Sequence, residues 1–330
     1  MIVGAQLADW LGNSARQTAT ADAINRFRSS WEAQPAVRRL RWAAAGAAAE
    51  GPDALLACAG RFFEDADTVN GLLDGLVAAA RSDPFFRPPL RLVSSPVHSG
   101  MLLFDSPAMM ISLGIIPLER LAAKKSGPRG STSIMFNGQR TLLRIVRSGG
   151  ASFSFWEAPP TGAHLSTETA GRCRLVGRRP VVDGETILLD GSCQSFVIER
   201  ATSDIVLLQA NLAADGAPFL VEYDSRTLEF VGASSADEAN SRLELMVSLL
   251  RLLDAREAIP IVRQSLSTGS FHTRWQIMRE LLAWDPAAAL PALREMAAAD
   301  PHPEVRETAR ETIALFFDET REEAGAECLA

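Results

Sequence analysis

The sequence has few of the side chains that bind metals or form disulfides. It contains four cysteines and four histidines in 330 residues, and no two cysteines stand in C-x-x-C spacing. Disulfides and a structural zinc site are therefore not expected. The sequence also lacks the G-x-S-x-G, P-loop and G-x-G-x-x-G motifs, so no catalytic or nucleotide-binding motif assigns a reaction.

Long apolar runs and a strongly basic segment are missing as well. No apolar stretch approaches the ~18 residues of a membrane span. The first residues, MIVGAQLADWLGN, do not have the basic start and apolar run of a signal peptide, so a cytosolic location and no membrane partner are expected. The net charge is −7, and residues 300–330 hold nine acids against three arginines. A nucleic-acid partner is therefore not expected, because binding phosphates needs a basic face.

Three regions follow from the pattern of apolar residues. Residues 1–89 are Ala-rich, and Leu72, Leu73, Leu76 and Val77 recur at helical spacing, which predicts helices. Residues 90–233 carry about ten short apolar runs separated by turn pairs such as Asn137-Gly138 and Asp190-Gly191, which predicts an antiparallel sandwich or barrel. Residues 234–330 are again helical, and Ser235 with Glu238 predicts a capping box at the first helix. The fold class is therefore α+β.

The segment from Arg179 to Phe196 resembles the second conserved motif of the cupins. Gly184-Glu185 matches the Gly-Asp pair that opens a strand, and Asp190-Gly191 matches the tight turn. Gln194 or Ser195 stands where cupins have a metal-binding histidine. In the stretch that corresponds to the first cupin motif, Trp156 and Ala158 stand where two histidines are expected. The resemblance implies a double-stranded β-helix barrel whose metal site is degraded or absent, and no cofactor is predicted.

Other side chains of the β-region remain candidates for a site. His98 lies beside the first strand, and His164 with Glu168 is the nearest approach to a histidine–carboxylate pair, so these three are the metal candidates. In a strand, Phe153 and Phe155 would share one face and Trp156 the other. These aromatics, with His98 and Gln194, are the predicted lining of a pocket for a small apolar ligand. Their alternative role is core packing.

The C-terminal region contains a repeat. Residues 258–263 (AIPIVR) align with residues 289–294 (ALPALR) at an offset of 31, which is typical of stacked helix pairs. Residues 300–309 (DPHPEVRETA) resemble the D-x-x-P-x-V-R-x-x-A opening of a HEAT-repeat helix, with Asp300 as a cap, Pro303 in the first turn, and Val305 and Ala309 facing the next unit. His272 and His302, at predicted helix starts, are expected to be caps or exposed.

These features leave three hypotheses for function. The first is a non-catalytic interaction or accessory protein that binds a protein partner through the C-terminal helices, with Glu304, Glu307 and Glu311 facing a basic partner. The second is a cupin-type metalloenzyme, similar to oxygenases, with the unusual ligands His98, His164 and Glu168. The third is a sensor that binds a small molecule in the barrel and signals through the helices. The sequence is compatible with all three hypotheses.

Overall fold

The computed structural model describes residues 2–125, 133–162, 165–213 and 216–317. The chain forms an α+β fold with two compact units. The first unit takes residues 1–132, 139–156 and 175–216, and the second takes 133–138, 157–174 and 217–330. The α+β class predicted from the sequence is confirmed.

Five helices begin the first unit. They are α1 (Ile2–Leu11), α2 (Ser14–Ala33), α3 (Pro35–Glu50), α4 (Pro52–Glu64) and α5 (Ala66–Ser82). Their ends follow from capping chemistry: Asn13 accepts a hydrogen bond from the Arg16 N–H, and Asp65 accepts one from the Thr68 N–H. Pro35 and Pro52 occupy the first turns of α3 and α4, where proline costs no hydrogen bond.

The largest sheet of the first unit is antiparallel and six-stranded, in the order β1-β2-β3-β10-β5-β8. Its strands are β1 (Leu92–Ser94), β2 (Ser99–Asp105), β3 (Met109–Ile116), β5 (Arg140–Arg147), β8 (Thr186–Asp190) and β10 (Ile205–Leu212). Helix α6 (Leu118–Lys125) follows β3. One face of the sheet packs on the helices, because Leu142, Leu208 and Ala210 share a buried cluster with Leu55 and Phe63.

A second sheet of the first unit has the order β7-β6-β9. Its strands are β6 (Ser152–Glu157), β7 (Arg174–Pro180) and β9 (Gln194–Arg200). Phe153 and Ile198 of this sheet share a buried cluster with Leu143, Ile187 and Leu207 of the six-stranded sheet. The two sheets of this unit therefore pack face to face over an apolar interior.

The second unit contains a three-stranded sheet and the C-terminal helices. The sheet has the order β12-β11-β4, from β4 (Ser133–Phe136), β11 (Phe219–Asp224) and β12 (Phe230–Ser235). The helices are α7 (Thr167–Ala170), α8 (Glu238–Leu252), α9 (Ile259–Gln264), α10 (Phe271–Trp284), α11 (Pro286–Ala299) and α12 (Pro303–Phe316). The repeat predicted from the sequence corresponds to two helix pairs, α9 with α10 and α11 with α12.

The start of α8 differs from the prediction. Ser235 does not cap this helix; the cap is Asp237, whose carboxylate accepts a hydrogen bond from the Ala239 N–H at 2.8 Å. Ser235 belongs to β12, and its hydroxyl accepts from the Asp237 N–H at 3.1 Å. The strand therefore runs up to the helix, and an acidic residue two positions later provides the cap.

Candidate functional site

The six-stranded sheet has an inner face, defined here as the face opposite the N-terminal helices. Ile116, Leu143 and Leu207 lie there in the apolar cluster shared with Phe153. Strand alternation places Ser112, Thr141, Gln209 and Asn211 on the same face, because Gln209 pairs with Ser112 and Leu143, and Asn211 pairs with Thr141. The inner face is therefore apolar at one end and polar at the other.

The polar end is joined by hydrogen bonds. The side-chain oxygen of Asn211 accepts from the Thr141 hydroxyl at 3.0 Å and from the Gln209 amide at 2.9 Å. Thr141 and Ser112 are buried. Buried polar groups are usually hydrogen-bonded to other protein groups or to ordered water. None of these four residues was singled out by the sequence, since their proximity depends on β10 lying between β3 and β5.

His98 reaches this inner face from the turn between β1 and β2. Its imidazole lies over two glycines that face each other across β2 and β3, Gly100 and Gly114. A Cβ on Gly114 would stand 2.1 Å from His98 Nε2, so only glycine leaves room for the ring. Nε2 is buried and, within the part of the chain that the structure describes, has no hydrogen-bond partner. Burial lowers the pKa of His98 below its usual value, which favours the neutral imidazole.

The predicted aromatic residues lie on the two faces of β6, as strand alternation requires. Phe153 is buried and stacks on Phe196 with ring centroids 5.0 Å apart. Phe155 is half-buried beneath the guanidinium of Arg179. Trp156 is buried on the other face, and its indole N–H donates to the Ser154 hydroxyl at 2.9 Å. Their role as a ligand wall stays a prediction.

The remaining pocket and metal candidates lie in several separate elements of the chain. The side-chain oxygen of Gln194 accepts from the Asp190 N–H at 3.1 Å, which fixes the β8–β9 turn. His98 belongs to the first unit, Glu168 lies in α7 of the second, and His164 lies outside the described residues. Among the residues that are described, no three His, Cys, Asp or Glu side chains form a group that could hold a metal ion.

The HEAT-like motif folds as its local sequence predicts. Pro303 occupies the first turn of α12, and Val305 and Ala309 are buried in the helical core. Asp300 accepts a hydrogen bond from the His302 N–H at 2.8 Å. It also accepts two from Arg274, at 2.9 and 2.7 Å, in a bidentate pair whose side chains are only 3% and 12% exposed. Burial raises the pKa of Asp300, but the bonds from Arg274 and His302 lower it by more.

His302 differs from the expectation of a capping or exposed residue. It precedes α12 without a side-chain capping bond, and it is buried. Its ring stacks on Phe271 with centroids 3.9 Å apart and an interplanar angle of 13°. Burial lowers the pKa of His302, so the neutral form is favoured in the folded chain.

The three acidic candidates on α12 have different surroundings. Glu304 is half-buried, and its carboxylate accepts from the Thr167 N–H at 2.6 Å. Glu307 is exposed and pairs with Arg310 at 3.0 Å. Glu311 is exposed. A basic partner facing Glu307 and Glu311 stays a prediction, whereas Glu304 already has a hydrogen-bond donor within its own unit.

Helix α8 is apolar on two sides. Its inner side contributes buried Val247, with Leu243 and Leu250, to the core of the helical stack. Its outer side, together with Leu253 at the cap that follows it, carries five large apolar residues that are more than half exposed. We call them the α8 outer face: Leu245 (71%), Met246 (55%), Leu249 (54%), Leu252 (71%) and Leu253 (68%). The sequence shows a broad apolar face on this helix, but only the fold separates the inner side from the outer one.

Residues 233–314 match the family model of HEAT repeats. This stretch includes α8, α9, α10, α11 and most of α12, so the HEAT-like prediction for the C-terminal region is confirmed. No curated protein matches the chain. In the described part of the chain, no helix has both the length and the apolar character needed to cross a membrane.

Several solved structures are similar to part of the chain. Ectoine synthase from P. lautus is 11% identical, with 37% of this chain and 67% of that chain covered and a TM-score of 0.23. A cupin domain from Bordetella pertussis tohama I is 12% identical, with 37% and 99% covered and a TM-score of 0.23. An RmlC-like cupin from Shewanella frigidimarina NCIMB 400 is 5% identical, with 38% and 86% covered and a TM-score of 0.25. Two of these three structures are named as cupins.

Proposed function

We propose that this chain is a protein-interaction or accessory protein that binds another protein chain through its HEAT-like helices. The observation that carries this proposal is the α8 outer face, which exposes five large apolar side chains on one helix and its C-cap. HEAT-type stacks commonly offer their helices as contact surfaces. The β-region would then serve as a cupin-like support without catalysis.

The apolar character of the α8 outer face is unusual for the side of a helix that faces water. A surface helix normally has one apolar side toward the core and a polar side toward water. The end of a helical stack needs a polar outer side to stay soluble, whereas the first helix of this stack has leucines and a methionine there. At ~2 kcal/mol for each fully buried side chain, covering five residues that are on average about two-thirds exposed would contribute on the order of 6 kcal/mol before the cost of association.

The acidic residues of α12 form a separate contact surface, on a different helix from the α8 outer face. Glu307 and Glu311 are exposed on one side of the helix, one turn apart. A basic partner would gain there mainly in association rate and specificity. Charge reversal by Glu307→Lys and Glu311→Lys should then slow association and leave the apolar contact intact. Unchanged association rates would argue against an acidic contact.

The test compares three forms of the tagged full-length chain in its native cell. They are the wild type, Leu249→Glu in the α8 outer face, and Leu315→Glu, a leucine of similar exposure on α12. Proteins are cross-linked in the cell, recovered, and the cross-linked residues are mapped by mass spectrometry. We expect cross-links on α8 that Leu249→Glu reduces about tenfold or more and Leu315→Glu leaves in place, because a buried charge costs far more than 1.4 kcal/mol.

The interaction proposal fails if no chain, including a second copy of this one, cross-links to α8. It also fails if the two glutamate variants give the same recovery. Circular dichroism of all three proteins is the control that the helices are retained.

A small-molecule site on the inner face of the β-region is the second candidate function. The observation that favours it is the buried Nε2 of His98, which finds no hydrogen-bond partner among the described residues and lies on the same face as the linked side chains of Gln209 and Asn211. A ligand bound there would stabilise the fold by linkage. Thermal melting against a panel of small apolar and weakly polar compounds tests it, with Gln209→Leu as the variant that should lose any shift. A panel that shifts both proteins equally would count against this site.

A further inference from the structure

We infer that the α8 outer face pairs with the same face of a second copy of this chain, the two α8 helices running antiparallel about a two-fold axis at Leu249. This inference rests on the proposed interaction function and names the partner. Its basis is the order of the five residues along the chain and the area that two such faces would bury.

The five residues are symmetric in sequence about Leu249. Leu245 and Leu253 stand four residues before and after it, and Met246 and Leu252 stand three before and after. With 100° between successive residues, they form a stripe on the order of 120° wide centred on Leu249. An isologous two-fold contact uses the same patch on both chains. In an antiparallel pair, each leucine or methionine of the stripe therefore meets an apolar residue of the other copy.

An ion pair lies near each end of the helix. Near the N-terminus of α8, Arg242 pairs with Glu238 at 2.6 Å. Beyond its C-terminus, Arg256 pairs with Asp254 at 3.0 Å. An antiparallel contact brings the first pair of one copy near the second pair of the other. Both ion pairs would sit at the rim of the contact.

The α8 outer face is held rigidly by its own unit. The Ser248 hydroxyl donates to Glu280 of α10 at 2.9 Å, and the Arg251 guanidinium binds the same carboxylate. On its inner side α8 buries Val247 in the core of the stack. Helices α8 and α10 from two copies would thus make a four-helix arrangement, a common way for apolar helix faces to pair.

The size of the face fits a homodimer of modest affinity. Five large side chains per copy, on average about two-thirds exposed, amount to on the order of 1,000 Å² of apolar surface over two copies, near the lower end of specific interfaces at about 1,200 Å². With the neighbouring polar residues at its rim, the buried area of the contact reaches the range of specific interfaces. A dimer that forms at micromolar concentration is therefore expected.

The first experiment measures the mass of the purified full-length chain by sedimentation and light scattering across concentration. We expect twice the 35.6 kDa of one chain. Leu249→Glu should raise the dissociation constant at least about 100-fold, because two glutamates would meet at the axis. Leu315→Glu should leave it unchanged. A wild type that stays monomeric at high concentration, or a dimer that Leu249→Glu leaves intact, overturns the inference.

The second experiment reads the direction of the helices and does not depend on the stability of the glutamate variant. Single cysteines are placed on α8 in a Cys193→Ser, Cys328→Ser background, where Cys58 and Cys173 are buried. Copper-catalysed disulfides need Cα atoms within about 7 Å. At 1.5 Å per residue, an antiparallel pair puts position 245 level with 253 of the other copy and about 12 Å from position 245 of that copy.

Leu249→Cys should therefore link to itself, and a mixture of Leu245→Cys with Leu253→Cys chains should link to each other in preference to themselves. Self-linking of Leu245→Cys with no mixed product would overturn the antiparallel arrangement. A wild-type monomer that nevertheless cross-links to a different protein at α8 in the cell would overturn this inference and leave the interaction function standing. If α8 contacts neither a second copy nor another protein, this inference and the proposed interaction function both fail.

Discussion

The buried ion pair between Arg274 and Asp300 should be the most sensitive polar contact of the helical region. It joins α10 to the turn before α12, and its side chains are 12% and 3% exposed. Replacing Arg274 by leucine leaves the Asp300 carboxylate buried without its counter-charge. Removing one partner of a buried pair costs about 3–5 kcal/mol. The His302 N–H still donates to Asp300, so the lower half of that range is expected.

The assay is amide hydrogen exchange followed by mass spectrometry, because it reports the helical region separately from the rest of the chain. A loss of about 3 kcal/mol in local opening free energy corresponds to exchange that is faster by roughly two orders of magnitude. That increase should appear in α10 and α12 and be absent from the six-stranded sheet. Both helices contribute to one buried cluster, with Ile277 and Met278 from α10 and Val305 from α12.

A matched control lies in the same region. Arg310 and Glu307 form an ion pair at 3.0 Å on α12, with side chains 54% and 63% exposed. Exposed pairs contribute only about 0–1 kcal/mol, so Arg310→Leu should change exchange less than about fivefold. If Arg274→Leu accelerates exchange by no more than Arg310→Leu does, the Arg274–Asp300 pair does not hold α10 and α12 together.

Three further predictions follow from single side chains. Burial lowers the pKa of His302, so the folded state resists protonation and the helical region should lose stability as pH falls below about 6.5, well above the range in which Asp300 titrates. Amide hydrogen exchange measured from about pH 7 to pH 5 should show this loss. A His302→Gln variant with the same pH dependence would contradict it. Burial raises the pKa of Tyr223, the single tyrosine, to about 12, so phenolate absorbance should rise about two pH units later than in a peptide and stability should fall only above about pH 10. Tyr223→Phe should cost about 1–3 kcal/mol of stability, because it leaves the Ala170 carbonyl, 2.6 Å away, without its donor. A titration midpoint near 10 in the folded chain would refute this account. Gly114→Ala should expel the His98 ring, and the pKa of His98, followed by NMR, should then rise toward its usual value. An unchanged pKa of His98 would mean that the ring does not lie on Gly114.

Local signals in the sequence predict local structure well. Pro303, Val305 and Ala309 take the positions that the D-x-x-P-x-V-R-x-x-A pattern assigns, because a helix start and its buried side depend on neighbours a few residues away. The same holds for the alternation of Phe153, Phe155 and Trp156 in β6. The capping box at Ser235 was wrong, since β12 continues through that residue.

Contacts between distant residues were not predictable from these patterns. Arg274 meets Asp300 only because α10 and α11 pack, and His302 is buried only because Phe271 lies against it. Likewise, the sequence does not say that β10 inserts between β3 and β5, which places Gln209 beside Ser112. A period of two or 3.6 residues identifies which side of an element is apolar, but not which element covers it.

The two ends of the helical stack differ in a way that bears on assembly. The exposed side of α12 holds Glu307, Arg310 and Glu311 over its middle turns, with exposed Leu315 and Phe316 only at its end, whereas the α8 outer face is apolar throughout. A head-to-tail contact would have to fit the α8 outer face onto a different surface, and repeating it would build an open chain of molecules. A two-fold contact of α8 with α8 uses both apolar faces at once and leaves none for a third copy. A closed dimer is therefore the assembly that these side chains favour over a filament, and a mass that grows beyond two chains with concentration would contradict it.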